Sequence, residues 1–435
     1  MALGGGSFVF KDKLLPGTYI NVVSKSAAAV NSFVSGVAAM PLTLDWGVEN
    51  EIFTVTNEDF LNDSQRIFGY HCTHEKMKGL RDLFKNAQTL HAYRLSAGAL
   101  KAQNAYATAK FGGIKGNDIR IIVAANLDDS GRKDVSTYFD NELIDKQTVS
   151  TAAQLSDNDF VVFNKTSTLS LTVGTSLSGG ANGSVDINEY TKFLKLIESY
   201  SFNILAADTV NSSINALIVS FTKRMRDENG IKFQALVYNT EANYEGVISF
   251  NNGVSDSLFS EAALAYWLAG GLASCNVNQS ILNKKYDGEF EFSYQTSMGQ
   301  LKKNVEDGFL TLHMLGDSFA VLADINTLTG ISVEKGNDFK NNQTIRILDY
   351  LSNTVAALFN SVYLGVVPNN EAGRISLWSD IVSIHKDLSG LGVIEGFVSE
   401  SVKVEKGLDK GSVVITSSIM PVNAMAKLYA TIIIV

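Results

Sequence analysis

Residues 201–238 read SFNILAADTVNSSINALIVSFTKRMRDENGIKFQALVY, and this stretch decides the fold. Phe202 to Ala206 is a short apolar strand. Asn211 or Ser212 then stands at the start of a helix, where a short polar side chain can accept from the helix's free N–H groups. Ile214, Leu217, Ile218, Phe221 and Met225 mark the buried face at helical spacing, and Asn229-Gly230 closes the helix. Phe233 to Tyr238 returns as a strand. Upstream, Tyr190, Phe193, Leu194, Ile197 and Tyr200 share one helical face; downstream, a third helix runs through Ala262 to Leu272. Alternation of this kind builds a layered α/β domain on a mainly parallel sheet.

Either side of it the texture changes. Ile119 to Ala124, Asp134 to Phe139, Phe160 to Phe163 and Leu169 to Val173 are short β segments between turn residues, the pattern of a small β-sandwich or barrel. Ser178-Gly179-Gly180-Ala181-Asn182-Gly183-Ser184 follows as the most linker-like stretch of the chain. Further upstream, Asn57-Glu58-Asp59 reads as the cap of a short helix around Phe60 and Leu61, and residues 74–86 carry Met77, Leu80, Leu83 and Phe84 at helical spacing. Residues 1–25 read as an arm. A glycine run precedes Phe8-Val9-Phe10, then comes a Pro16-Gly17 turn, then the extended strand Thr18, Tyr19, Ile20, Asn21, Val22, Val23. Toward the C-terminus, Ile345, Leu348, Leu351, Val355, Leu358, Phe359 and Val362 form the clearest amphipathic helix. A helix around Ile375 to Leu388 follows Gly373, and then the pattern is β: Glu395 to Lys406, Ser412 to Ile419, and Ala426 to Val435.

Composition sets the outer bounds. At about 150 residues per domain, 435 residues make roughly three domains. With 45% hydrophobic and 19% charged residues the chain has material for several cores and is far from disordered. A net charge of −9, without a basic cluster, argues against a nucleic-acid surface, which needs clustered positive charge for phosphate contacts. Two cysteines, Cys72 and Cys275, cannot make a disulfide framework and fit a reducing compartment. The first residues lack the pattern of a secretory signal. The longest weakly polar run, Ala262 to Cys275, is too short for a span of about 20 residues and reads as a buried core helix.

No catalytic constellation emerges. His71, Cys72 and His74 are close in sequence, but the second histidine that a zinc-protease helix would need after His74 is Lys78. Gly112-Gly113-Ile114-Lys115-Gly116-Asn117-Asp118 is glycine-rich, yet it precedes a strand, whereas a phosphate cradle opens a helix. Asp208, His313 and Ser318 occur in the order of a subtilisin-like triad. However, Phe309 to Met314 alternates like a strand and Gly316-Asp317-Ser318 reads as a hairpin turn. These residues call for no cofactor and no metal.

The ends carry more information. Residues 421–435 read PVNAMAKLYATIIIV, with no charged side chain after Lys427. A flat apolar strand of this kind, Lys427, Leu428, Tyr429, Ala430, Thr431, Ile432, Ile433, Ile434, Val435, must be paired or covered. It pairs either within its own subunit or, like Thr18–Val23, as a strand donated to a neighbour.

These ends and several segments between them resemble contractile tail sheath proteins of myophages and of phage-tail-like bacteriocins, in particular those of Gram-positive bacteria. The likeness lies in the Lys13 to Val23 arm, in Phe53 to Phe60 (FTVTNEDF), in Gly112 to Ile119 (GGIKGNDI) and in Ser201 to Ala206. It continues in Trp267 to Gly271, Lys285-Tyr286-Asp287-Gly288, Asp324-Ile325-Asn326-Thr327-Leu328-Thr329 and Pro421 to Val435. The resemblance spans essentially the whole chain. It implies a multidomain α/β and α+β protein: a subtilisin-like α/β core without protease activity, a β-sandwich insertion, an α+β C-terminal domain and extended terminal arms. The divisions expected are 1–25 (N-terminal arm), 26–100 (mixed domain), 101–180 (β-sandwich), 185–335 (sheath core), 336–420 (C-terminal domain) and 421–435 (C-terminal arm strand).

The resemblance further implies a non-enzymatic structural subunit that forms a helical homopolymer of stacked hexameric rings. Its partners would be the tail tube, baseplate and tail-terminator proteins, with no direct contact to nucleic acid and no stable membrane anchor. The particle would be a virion tail or a bacteriocin, assembled in the bacterial cytoplasm, whose contraction drives the tube through the target envelope. The arms are expected to bend at joints near Ser24 to Ser26 and Val422 to Ala424. The alternative is a hydrolase on the α/β core, which would require a reactive serine.

Overall fold

A computed structural model describes residues 35–294 and 297–434, so Thr18–Val23, the joint at Ser24–Ser26 and Val435 lie outside the described residues. The chain divides into two compact units: one of residues 40–78 and 90–197, the other of the described residues up to 39, 79–89 and from 198 onward.

β1 (Val37–Leu42) is buried at all six positions and passes from one unit into the other at Ala39. In the unit of residues 40–78 and 90–197, β2 (Ile52–Thr56) runs directly into α1 (Asn57–Phe68). The cap is Thr56 and not the expected Asn57–Asp59. Thr56 Oγ1 accepts from Asp59 N at 3.1 Å, and the Asp59 carboxylate accepts from Thr56 N at 2.9 Å. A threonine can end a strand and still offer its hydroxyl to the helix, so the boundary falls between Thr56 and Asn57. α2 (Lys78–Phe84) comes next and lies from Gly79 onward in the other unit; β3 (Thr89–Arg94) returns.

The β-rich part follows as β4 (Ala107–Ala109), β5 (Ile119–Ala125), β6 (Lys133–Phe139), β7 (Glu142–Val149), β8 (Val161–Phe163) and β9 (Thr172–Ser176). Four strands form an antiparallel sheet in the order β7-β6-β5-β9, and β4 pairs with β8. Ile119, Ile121, Val123, Val135, Phe139, Phe160 and Phe163 share one core with Trp46. The expected strand Leu169–Val173 lies instead at Thr172–Ser176. Leu169 is spent in the core, and the ladder with β5 shifts register between Ile121 and Val123, next to a Gly174 with φ +136°. The sequence reading lacked β7 altogether: it is an edge strand with only Val149 buried, so alternation barely marks it. α3 (Ile187–Ile197) closes this unit on the face carrying Tyr190, Phe193, Leu194 and Ile197.

The other unit carries the layered α/β pattern. β10 (Ile204–Ala206) leads to α4 (Ser212–Lys223), β11 (Gln234–Tyr238), β12 (Val247–Phe250), α5 (Ala265–Ala273), α6 (Met298–Glu306) and β13 (Phe309–Leu310). The strands run parallel in the order β1-β10-β11-β12-β13, with Ala38 opposite Ile204, Ile204 opposite Gln234 and Ser249 opposite Phe309. Nearly every residue of these strands is buried, as a sheet covered on both faces requires. Asn211 caps α4, its Oδ1 accepting from Ser213 N at 2.9 Å. α5 is buried at all nine positions and packs on β10 and β11. A Cβ on Gly270 would lie 2.3 Å from Leu83 O, so only glycine admits this approach of α2. Among the described residues no helix is long and apolar enough to cross a membrane.

Beyond a hairpin of β14 (Leu312–Leu315) and β15 (Ser318–Val321), turned at Gly316-Asp317 as the sequence indicated, come α7 (Asn342–Leu358) and α8 (Glu371–Gly390). The expected strand Glu395–Lys406 is broken into β16 (Ile394–Glu395) and β17 (Val402–Lys406), with Gly396 at φ +62° at the break. Ser412–Ile419 becomes β18 (Val413–Ser417), followed by β19 (Met420–Pro421). The expected strand over Ala426–Val435 is not formed in the isolated chain. Residues 422–434 carry no regular structure. Among the described residues no strand pairs with that segment.

Candidate functional site

The residues weighed for chemistry are all spent on structure. Ser318 Oγ donates to Leu315 O at 3.3 Å inside the β14–β15 hairpin, where His313 faces Ala320 in the ladder. Asp208 accepts from Ser260 Oγ, and burial pushes its carboxyl up to about 6. Among the described residues no hydrogen bond joins Asp208, His313 and Ser318 to one another. A cavity of about 380 Å³ at the N-terminal ends of β10 and β11, lined by Asn203, Lys232, Arg346 and Tyr350, has none of the three in its wall. His74 Nδ1 accepts from Lys76 N at 3.2 Å and its ring lies on Tyr70, so it caps a turn. Among the described residues no cluster of histidine, cysteine and carboxylate side chains is disposed to hold a metal.

The glycine-rich turn at Gly112–Asp118 is a fastening. Gly113 has φ +125°, and a Cβ there would fall 2.0 Å from Asp45 O. Buried Lys115 reaches Asp118 at 2.8 Å and Asp140 at 2.6 Å. Asp45 in turn accepts from Tyr70 Oη at 2.6 Å and from Asn182 Nδ2 at 2.7 Å. Asn117 and Gly180 exchange two hydrogen bonds, each at 2.9 Å. The supposed linker 178–184 is therefore pinned: bridges pair Gln103 with Ser178, Leu100 with Ala181 and Ala97 with Ser184.

Asp324–Thr329 is a second fastening, within the other unit. Asp324 accepts from Arg346 Nη2 at 2.7 Å, Asn342 Nδ2 at 2.9 Å and Ser280 Oγ at 2.8 Å. Burial opposes its charge, but the Arg346 guanidinium and these donors hold its carboxyl below the usual range. Asn326 Nδ2 donates to Phe339 O at 2.8 Å, and Thr327 N to Val247 O at 2.9 Å. One turn further along α7, Asp349 takes two hydrogen bonds from Arg226, at 2.7 and 2.5 Å. Two buried ion pairs thus tie α7 to the helical turn that ends α4 and to the segment after β15. Sequence reading missed Arg226 and Asp349, since 123 residues separate them and no local spacing announces the pair.

The outer elements are less complete. β17 and β18 pair with each other from Val402↔Ser417 to Lys406↔Val413, and with no further strand among the described residues, so each presents an open edge. Their inner side chains Val402, Val404, Val413 and Ile415 pack with Tyr363, Leu377, Ile381 and Val382. Trp378 Nε1 donates to Val402 O at 3.0 Å. Buried His385 bridges Ile381 O at 2.9 Å and Ser417 Oγ at 2.8 Å, and burial pushes its imidazole down to about 4. Of the predicted arm residues, Lys427–Ile434 follow in fully exposed coil: Leu428 is 90% exposed, Ile432 90% and Ile434 96%. The expected joint at Val422–Ala424 is not free. Val422 N donates to Val393 O at 2.9 Å, Thr344 Oγ1 to Asn423 Oδ1 at 3.1 Å, and Ala424 N to Gln343 Oε1 at 2.8 Å.

Four family descriptions match in series: the tail sheath protein Gp18 domain III N-terminal region over residues 35–95, the phage tail sheath protein beta-sandwich domain over 87–182, the phage tail sheath protein central domain over 183–327, and the phage tail sheath C-terminal domain over 334–434. The crystal structure of a sheath tail protein from Desulfitobacterium hafniense is 33% identical, with a TM-score of 0.82, covering 95% of this chain and 99% of that one. A sheath tail protein from Listeria innocua is 31% identical at a TM-score of 0.79, covering 91% and 93%. The phage-like element PBSX protein XkdK of Bacillus subtilis is 29% identical over 98% of this chain and 99% of its own. At the level of fold alone, the contracted helical sheath of the anti-feeding prophage shares 12% identity at a TM-score of 0.57, covering 97% of this chain and 99% of that one. This chain therefore belongs to the phage tail sheath family and is a structural sheath subunit of mixed α/β, multidomain fold, not an enzyme.

Proposed function

We propose that this subunit polymerises as stacked hexameric rings around a tail tube, bounded by baseplate and terminator proteins, and that contraction drives the tube through a target envelope. The same contraction would serve genome ejection or bacteriocin killing, on particles assembled in the bacterial cytoplasm. The α/β layer of residues 185–335 is taken as the subtilisin-like body. Residues 1–25 and 421–435 are taken as arms, and 26–100, 101–180 and 336–420 as the further domains.

In this reading Thr18–Val23 of one copy and Lys427–Val435 of another add strands to the open β17–β18 sheet of a third. The observation that carries it is the segment from Met425 to Ile434, exposed throughout and apolar at most positions, in a chain whose β17 and β18 pair with no further strand among the described residues. Period-two alternation would put Leu428, Ala430, Ile432 and Ile434 on one face, able to extend the cluster of Val402, Val404, Val413 and Ile415. Each added backbone hydrogen bond contributes about 1 kcal/mol net, and each buried isoleucine roughly 1.5–3 kcal/mol. Head-to-tail exchange that does not close on itself gives a helix rather than a ring dimer.

Deleting residues 425–435, or 1–23, is expected to leave folded subunits that form no tubes in electron micrographs. Tubes of normal length and number from either truncation would overturn the reading.

A further inference from the structure

Gln343 sits in the first turn of α7 with its side chain only 3% exposed. Its own N–H is capped by Asn341 Oδ1 at 2.8 Å, so the helix start makes no demand on its amide group. That amide turns instead to the backbone of the outgoing chain: Oε1 accepts from Ala424 N at 2.8 Å, and Nε2 donates to Val422 O at 3.4 Å. A side-chain amide that meets the O of one residue and the N–H of the second after it stands in for one rung of a β ladder. In the same stretch, Val422 N donates to Val393 O at 2.9 Å, prolonging the β16–β19 pairing of Ile394 with Pro421. The backbone at Val422–Ala424 is thus held by Gln343 and by Val393, and the next residue, Met425, is fully exposed.

We infer that Gln343 is a positioning residue for strand donation: it holds the chain extended through Ala424, so the bend of the C-terminal arm lies at Met425 and the arm leaves each subunit from a fixed point. The partner is a second copy of this chain, and the inference rests on the arm-exchange reading above. A fixed exit narrows the set of directions a tethered strand samples, which raises its effective concentration at a neighbour's sheet edge. It also lets α7, tied through Arg346 and Asp349 to the segment after β15 and to the end of α4, transmit rotation of the body directly to the root of the arm.

The test uses the full chain and Gln343→Met, which keeps the length and apolar contacts of the side chain but removes both hydrogen bonds; Gln343→Glu, which retains an acceptor for Ala424 N, serves as the conservative control. Amide hydrogen exchange on free subunits is expected to show Ala424 protected in the native chain and roughly tenfold faster in Gln343→Met, with the amides of α7 unchanged. Tube yield is expected to fall in Gln343→Met and to recover in part in Gln343→Glu. An unprotected Ala424 amide in the native chain, or exchange unaltered by the substitution, removes the clamp. Released exchange with normal tube yield removes the positioning role while leaving arm exchange standing, since that fails only if the truncated chains still build tubes.

Discussion

The two ends of the C-terminal region spend their side chains in opposite ways. Along α7, charged and polar groups are buried and bonded to one another: Arg226 with Asp349, Arg346 with Asp324, Asn342 with Gln234 at 3.0 Å. From Met425 to Ile434 the side chains are mostly apolar and entirely in solvent. A monomeric protein would be expected to do the reverse, since buried charge is costly and exposed isoleucine is wasted. The difference separates interactions completed within the chain around α7 from side chains beyond Ala424 that the arm-exchange proposal assigns to other copies.

Substitutions break the comparison in graded fashion. The largest loss of subunit stability is expected from Asp349→Ala, which leaves Arg226 buried and unpaired at a cost of about 3–5 kcal/mol. Urea unfolding measures it, and the double replacement Arg226→Met with Asp349→Leu is expected to regain much of the loss. Acid comes next. His385 is buried as the neutral imidazole with its pKa lowered to about 4, so the unfolded chain takes up a proton first as pH falls. The stabilisation is complete above the unfolded value near 6.5 and drains away as pH drops toward 4, by about 3 kcal/mol in all. Unfolding curves at pH 7 and pH 4.5 are expected to show the loss in the native chain and a flatter dependence in His385→Gln. Asp324 acts in the same direction at lower pH, because its depressed pKa gives stability that disappears only as that carboxylate is finally protonated. The smallest effect on the free subunit is expected from Ile432→Glu, within about 0.5 kcal/mol. The same change puts a charge on the donated strand and is expected to abolish tubes; a large destabilisation of the monomer would show that the segment packs on its own chain after all.

Much of the architecture is visible in the sequence where local chemistry and tertiary packing agree. The Asn211 cap, the apolar faces of α3, α4 and α7 and the strand at 204–206 are of this kind. What the sequence hid are features set by distant partners. The glycines and serines of 178–184 look like a hinge until Asn117 and Asp45 are seen to hold them. β7 is a strand because β6 lies beside it, and its own charged alternation says little. Residues 426–434 fail in the opposite sense: β propensity is high, but a strand is a relation between two segments, and among the described residues none pairs with this one. As for the assembly site, the apolar run was legible, whereas Gln343 was not, because a glutamine in the first turn of a helix ordinarily faces water.

The hydrogen bond from Val37 N to Asn203 Oδ1, at 2.9 Å, closes a loop of 166 residues. On a ribosome this imposes a timetable. The antiparallel β-rich body is synthesised entirely inside that loop and can fold from neighbouring segments, while β1 waits for β10, and the parallel sheet waits further for β13. During that interval six consecutive apolar-patterned residues of β1 and the all-apolar α5 must be kept from foreign partners, which makes the nascent subunit a natural client for chaperones. The C-terminal segment, which the proposal makes the link between copies, emerges only after the sheet's last strand, so on that reading newly made chains cannot join neighbours through it before their own centre is built.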